Sequence, residues 1–280
     1  MADPRVIFIT GTSSGFGMLT AVECAARGHR VIAAMRDPGR KDRLLELAGG
    51  RQAADRIDIV PLDVTDEDAA SRAIADAVGR YGRLDMLVNN AGYAQGGMAE
   101  DVPLSAWRAQ METNFFAAVR LVQLVLPHMR QRRSGLIVNV SSISGRVAMP
   151  GFGPYCASKF ALEGFSEALR LELAPFGIRV VLVEPGSYRT DIWRKGFELA
   201  VRSADSPYRD LAESVFRMAR QSAERAPDPA EVARRIADLA DDPAPPLRLP
   251  LGRGVRSLLA VRSLLPWNWY ERMIRRALGV

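Results

Sequence analysis

Val6-Ile7-Phe8-Ile9-Thr10-Gly11-Thr12-Ser13-Ser14-Gly15-Phe16-Gly17 joins an apolar run to a glycine-rich turn, which leads straight into an amphipathic stretch. A run apolar on both of its faces suits a strand buried on both sides, and such strands belong to parallel sheets covered by helices. The three glycines serve one physical purpose: they let the chain turn sharply, approach a diphosphate with its backbone, and pack the next helix on the strand. A helix starting near Gly15 aims its free N–H groups and the positive end of its dipole at the phosphates. Such a turn alone is weak evidence, being as often an ordinary turn. Between a strand and a helix it reads as a dinucleotide cradle made of Gly11, Ser13, Ser14, Gly15, Phe16 and Gly17.

Outward from this turn the pattern repeats. Apolar runs predict strands at 6–10, 30–35, 57–62, 84–88, 136–140 and 178–183, and amphipathic stretches predict helices at 15–27, 42–47, 66–81, 104–132 and 154–175. Alternation with right-handed crossovers gives an α/β fold: a doubly wound, Rossmann-type parallel sheet with helices on both faces. Beyond residue 183 the chain turns charged and helical, with a helix at 228–239 and a short seventh strand near 247–249. The division expected is a single dinucleotide-binding catalytic domain at 1–251, whose segment 186–226 covers substrate, and an amphipathic helical extension at 252–280 split at Pro266.

The 280 residues, 48% hydrophobic, suffice for one large α/β domain. A net charge of +6 attracts phosphates, nucleic acid or anionic lipid, but no nucleic-acid-binding motif is present and no such partner is expected. Cys24 and Cys156 read as buried thiols of a reduced protein, and His29 and His128 are too few for a histidine metal site. The N-terminus lacks the basic start and long apolar core of a signal peptide, and no uncharged run reaches the ~18 residues of a membrane span. A cytoplasmic protein is expected, with peripheral membrane contact through the tail as an option.

Two places carry chemistry. At the end of the second strand stand Met35, Arg36 and Asp37. An acid there would bond the 2′-hydroxyl of NAD(H), whereas an arginine suits the 2′-phosphate of NADP(H). NADP(H) is therefore the preferred cofactor and NAD(H) the alternative. Tyr155 and Lys159 lie four apart near a helix start, on one face. A phenol ordinarily titrates near ~10; a neighbouring ammonium lowers it toward the range of a general acid–base catalyst. Ser142 ends a strand thirteen residues before Tyr155.

The motifs TGTSSGFG (10–17), NNAG (89–92), Asn114, Ser142, YCASK (155–159) and PGSYRT (185–190) fall in one order. In this the chain resembles the single-domain short-chain dehydrogenase/reductases, and the stretch after Tyr155 resembles their 17β-hydroxysteroid and retinol dehydrogenase branch. The resemblance implies that Tyr155 is the proton donor to the carbonyl, that Lys159 holds the nicotinamide ribose, that Ser142 bonds the substrate oxygen, and that Asn114 anchors a water leading to Lys159. It implies that Asp63 and Val64 flank the adenine, and that Asn90, Ala91 and Gly92 line the cofactor. Pro185, Gly186, Tyr188 and Thr190 would border the nicotinamide. It further implies a small carbonyl or alcohol substrate and a homodimer or homotetramer.

Three functions follow as alternatives: an oxidoreductase for lipophilic carbonyls and alcohols, a reductase of 3-oxoacyl thioesters or small polar carbonyls, and a non-catalytic NADP(H)-binding regulator. The tail departs from the family pattern. It reads as a lid, an oligomer contact or a membrane-surface helix. Phe152, Tyr188, Trp193, Phe197, Trp267 and Trp269 are the large side chains expected to line an apolar substrate site.

Overall fold

The computed structural model describes residues 3–203 and 205–279. Met1 and Ala2 of the expected 1–251 domain, Ala204 of the 186–226 segment, and Val280 of the tail lie outside the described residues. In chain order the elements are β1 (Val6–Thr10), α1 (Gly15–Ala26), β2 (Arg30–Met35), α2 (Asp42–Gly49), β3 (Ile57–Pro61), α3 (Glu67–Tyr81) and β4 (Met86–Asn89). There follow α4 (Leu104–Met111), α5 (Ala117–Gln131), β5 (Gly135–Val140), α6 (Gly153–Leu173) and β6 (Ile178–Pro185). The last elements are α7 (Asp191–Leu199), α8 (Arg209–Glu224), α9 (Ala230–Asp238), β7 (Arg248–Leu251), α10 (Val255–Leu264) and α11 (Trp267–Leu278).

The strands form one parallel sheet in the order β3-β2-β1-β4-β5-β6-β7. Side chains alternate across it. Ile7, Ile9, Val31, Met86 and Val138 pack to one face with Ala21 and Cys24 of α1 and Val232 and Ile236 of α9. Phe8, Ile32, Leu87 and Ile137 pack to the other with Ile74 of α3 and Leu121 and Val125 of α5. Strand order reverses between β1 and β4, and the crevice at such a reversal is where open α/β sheets take ligands. Each edge strand carries a proline, Pro61 in β3 and Pro250 in β7.

Several element ends shift by one or two residues, β4 for instance running Met86–Asn89 rather than 84–88, and three departures are of more interest. The predicted single helix at 104–132 is broken by a π-turn at Glu112–Phe116. The seventh strand covers Arg248–Leu251 rather than 247–249, pairing with β6 from Leu182 to Pro185. The helix expected at 228–239 begins at Ala230, and the Asp228 carboxylate caps its start by accepting from the Ala230 N–H at 2.9 Å.

Candidate active site

The glycine turn has the geometry of an anion cradle. Gly11 and Gly15 sit at φ +70° and +58°, where side chains are disfavoured. A Cβ on Gly11 would lie 2.8 Å from Ala91 Cα, and one on Gly17 2.5 Å from the Gly11 carbonyl. Ser14, the N-cap of α1, is extended and makes no side-chain cap, and the first turn holds no acid. The first N–H groups of the helix therefore have no side-chain acceptor and suit a diphosphate. Ser13 lies partly exposed in the turn, and Thr190 lies against Gly15, 3.6 Å from where its Cβ would be.

The floor of the cradle is held by Asn90, whose Nδ2 donates to the Thr10 carbonyl at 2.8 Å and the Gly11 carbonyl at 3.2 Å. Ala91 and Gly92 continue from it. A Cβ on Gly92 would lie 2.9 Å from Asn114 Oδ1. On the adenosine side Met35 is buried and Arg36 is exposed just past β2. Asp63 Oδ1 accepts from the Thr65 N–H at 3.0 Å and its hydroxyl at 2.7 Å. Burial opposes the Asp63 charge, but those bonds and the nearby Arg36 outweigh it and hold the carboxyl below its ordinary range. Val64 beside it is buried.

The second half of the site stands at the ends of β5 and β6. Tyr155 and Lys159 share a face of α6, and Ser142, just past the end of β5, lies near the Tyr155 hydroxyl, its own Oγ accepting from the Ser144 N–H at 3.1 Å. Lys159 Nζ donates to the Val140 carbonyl at 2.8 Å and lies 5.9 Å from the centre of the Tyr155 ring. The expectation that Lys159 lowers the Tyr155 phenol is reversed in this geometry. Burial pushes Tyr155 up to about 12, the nearby Ser142 hydroxyl opposing it in part, and burial pulls Lys159 down to about 8. The ammonium is committed to a carbonyl, so desolvation decides both groups.

Asn114 sits in the π-turn, 3% exposed. Its Nδ2 donates to the Tyr93 carbonyl at 3.0 Å and to Ser158 Oγ at 3.1 Å, and its Oδ1 accepts from the Tyr93 N–H at 3.1 Å. A small cavity lined by Asn114, Thr10, Asn89 and Lys159, and by apolar side chains such as Leu121, Val140 and Leu162, is about large enough for one water. The structure thus brings Asn114 and Lys159 to one cavity without direct contact.

Of the residues expected around substrate, Phe152, Trp193 and Phe197 come together. Trp193 stacks on Phe197 at 6.1 Å, and Phe197 and Phe152 both meet Phe216 edge-on, at 6.5 and 5.8 Å. Tyr188 does not join them. It is 1% exposed, edge-on to Phe16, and donates from its hydroxyl to Glu231 Oε2 at 2.9 Å. Its side chain is part of the core, so only its backbone is free to border a cofactor. Pro185 is buried, and Gly186 is packed so closely under α10 that a Cβ would lie 2.7 Å from Val255 Cγ2. Trp267 and Trp269 also fail to line the site, being 58% and 62% exposed. The tail reaches this region through Ile274 and Leu278, which pack with Phe152, Met98 and Val215.

Sequence reasoning missed Thr10, Ser158 and Phe216. Thr10 Oγ1 accepts from the N–H groups of Asn90 and Ala91, both at 3.0 Å, and so links β1 to β4 under the cradle. A threonine ending an apolar strand before glycine was the available signal. Ser158, inside YCASK, donates to the Tyr155 carbonyl at 2.7 Å. Both cysteines are buried and free, and burial pushes Cys24 up to about 12 and raises Cys156, which leaves neither suited to nucleophilic work.

A seven-stranded parallel sheet with a glycine cradle at its switch point, and a Ser–Tyr–Lys cluster beside it, defines a dinucleotide-dependent oxidoreductase fold. The short chain dehydrogenase family model matches residues 5–199. An uncharacterized oxidoreductase YusZ of Bacillus subtilis is 43% identical over 98% of both chains. The 3-ketodihydrosphingosine reductase of Bacteroides thetaiotaomicron is 35% identical over 97% of both, and retinol dehydrogenase 8 of Bos taurus 38% identical over 95% of this chain and 88% of its own. A short-chain dehydrogenase from Streptomyces avermitilis superposes with a TM-score of 0.81, at 38% identity over 98% of both chains. The actinorhodin polyketide ketoreductase with NADPH superposes at 0.77, at 31% identity over 91% of this chain and 99% of its own. The chain belongs to the short-chain dehydrogenase/reductase family and is an NAD(P)-dependent enzyme.

Proposed function

We propose that the protein is an NADP(H)-dependent oxidoreductase interconverting a lipophilic ketone or aldehyde and its alcohol. The observation that carries the reaction is the cluster of Tyr155, Ser142 and Lys159 at the strand ends beside the glycine cradle. Gly11, Ser13, Ser14, Gly15, Phe16 and Gly17 would hold the diphosphate, Asp63 and Val64 the adenine side, and Asn90, Ala91 and Gly92 the middle of the cofactor. Pro185, Gly186, Thr190 and the Tyr188 backbone would border its nicotinamide end. When bound, the nicotinamide supplies the hydride in reduction and takes it in oxidation.

The chain's own residues do the rest. The Ser142 hydroxyl donates to the carbonyl oxygen and fixes its place. Tyr155 gives its hydroxyl proton to that oxygen as negative charge develops there, and recovers a proton afterwards. Lys159 would hold the ribose. The small cavity that Asn114 and Lys159 both border would hold a single water, the route for proton return.

NADP(H) is favoured because exposed Arg36 offers a guanidinium fork for a 2′-phosphate. A lipophilic substrate is favoured by the wall of Phe152, Trp193, Phe197 and Phe216. Two relatives named for 3-ketodihydrosphingosine and for retinol, compounds with long apolar chains, point the same way. A homodimer or homotetramer is part of this reading, with exposed Phe116, Phe160 and Leu171 as apolar surface for a subunit contact. The test is Tyr155→Phe. Turnover of a panel of carbonyls, followed by NADPH absorbance, should fall by about 10²–10⁴-fold while NADPH still binds. Near-normal turnover in that variant would refute the assignment. Preference for 3-oxoacyl thioesters or small polar carbonyls in the wild-type panel would replace the lipophilic reading.

A further inference from the structure

The tail from Gly252 onward holds six arginines and one glutamate, so its formal charge of +5 accounts for nearly all of the chain's +6. The remaining 251 residues are close to neutral. Its two helices also carry a concentration of exposed apolar side chains. Leu264 is 80% exposed at the end of α10, and Trp267 and Trp269, just beyond Pro266, are 58% and 62% exposed, with Met273 at 39%. These side chains crowd the elbow between α10 and α11. The guanidinium of Arg262 lies over Trp267 and Tyr270, 5.2 Å from each ring centre, and that of Arg272 over Trp269 at 5.7 Å. The single tail acid, Glu271, comes no nearer than 3.9 Å to Arg275. The stripe of Tyr270, Ile274 and Leu278 packs inward; Trp267 stands exposed at the head of that stripe, its ring 5.9 Å from that of Tyr270, while Trp269 and Met273 face away from it.

We propose that the α10–α11 elbow is a docking surface for an anionic lipid bilayer. The basic charge supplies attraction to anionic headgroups. The protruding leucine and tryptophans supply side chains that favour the boundary between headgroup and hydrocarbon. Nucleic acid would be met by the arginines alone and would leave Leu264 and Met273 facing water. Insertion at the interface accounts for both features. Among the described residues no helix is long and apolar enough to cross a membrane, so the contact is peripheral. The inner stripe of α11 touches the Phe152 and Val215 cluster. A docked bilayer would therefore lie beside the apolar site, a consequence that rests on the substrate reading above.

The full-length protein is to be sedimented with vesicles of phosphatidylcholine alone and with vesicles also containing phosphatidylglycerol. Binding is expected to the anionic vesicles, with a blue shift of tryptophan emission and loss of binding at high salt. Leu264→Ala with Trp267→Ala and Trp269→Ala should abolish the shift and most of the binding. Each of Arg272→Ala, Arg275→Ala and Arg276→Ala should weaken binding roughly fivefold. NADPH titration and light scattering on the same variants show that they stay folded and keep their subunit number. Equal binding to neutral vesicles, or binding unchanged in the variants, overturns the proposal. So does a change in subunit number on removing Leu264 and the tryptophans, or stronger capture by RNA than by vesicles. None of these readouts needs turnover, so vesicle binding by an enzyme indifferent to lipophilic carbonyls would retire the substrate reading and leave this one standing.

Discussion

Arg36 and Glu163 are single charges whose surroundings lead to definite measurements. Arg36 is exposed at the end of β2 and near enough to Asp63 to help hold its carboxylate charged. Replacing it with alanine should weaken NADPH about 10–100-fold, the range for a charge-assisted bond, and leave NADH nearly unchanged. Equal losses for both cofactors in direct titration would remove Arg36 from the phosphate site. Glu163 lies one turn after Lys159 and is 4% exposed. Arg248 Nη2 is 3.1 Å from its Oε2, while Arg248 Nε and Arg146 Nη1 lie 3.0 and 3.3 Å from Oε1 of the fully buried Glu184. Burial pushes Glu163 up to about 7; Ser141 and Arg248 oppose this and Glu184 adds to it. An unfolded glutamate titrates near ~4.3, so the folded state binds the extra proton between those values. The stability this gives is complete below the lower value and is lost as pH rises through about 7. Glu163→Gln should therefore gain on the wild type by about 1–3 kcal/mol from pH ~5 to ~8, read as diverging melting temperatures. Parallel curves for the two proteins would deny the shift.

At the scale of elements, much of the architecture was legible for a local reason. Strands buried on both faces are apolar throughout, and β1 and β2 match their expected bounds. The cradle is legible because Gly11 and Gly15 answer to their own positive φ, whereas the crowding of Gly17 against Asn90 is distant. The π-turn was not, since the apolar periodicity of 104–132 runs on without interruption. What makes the turn worthwhile is distant: Asn114 meets Tyr93 and Ser158, 21 and 44 positions away. Tyr188 misled in the same way, because its partner Glu231 lies 43 residues further on. In α11 the tryptophans drew attention by size, whereas Tyr270, Ile274 and Leu278, spaced four apart, form the stripe that faces inward. That spacing was the better signal.

For the molecule as a whole, α11 connects the tail to the catalytic body. Deleting residues 266–280 removes the Ile274 and Leu278 contacts but keeps Val255, which packs over Gly186, a residue proposed to border the cofactor. NADPH affinity should stay the same, while KM for bulky lipophilic carbonyls should rise about tenfold relative to small ones. An unchanged substrate ranking in a folded truncate, checked by steady-state kinetics and circular dichroism, would show that α11 forms no part of the site.

The prolines at the two borders of the sheet have a consequence for colloidal behaviour. An open sheet offers two rows of unpaired backbone groups, each a template onto which another chain can add a strand. Pro61 and Pro250 each remove one N–H from those rows, and their rings hinder a strand laid alongside. If the tail docks on a surface as proposed, molecules crowded there would meet edge to edge, and these two residues would hinder strand addition between them.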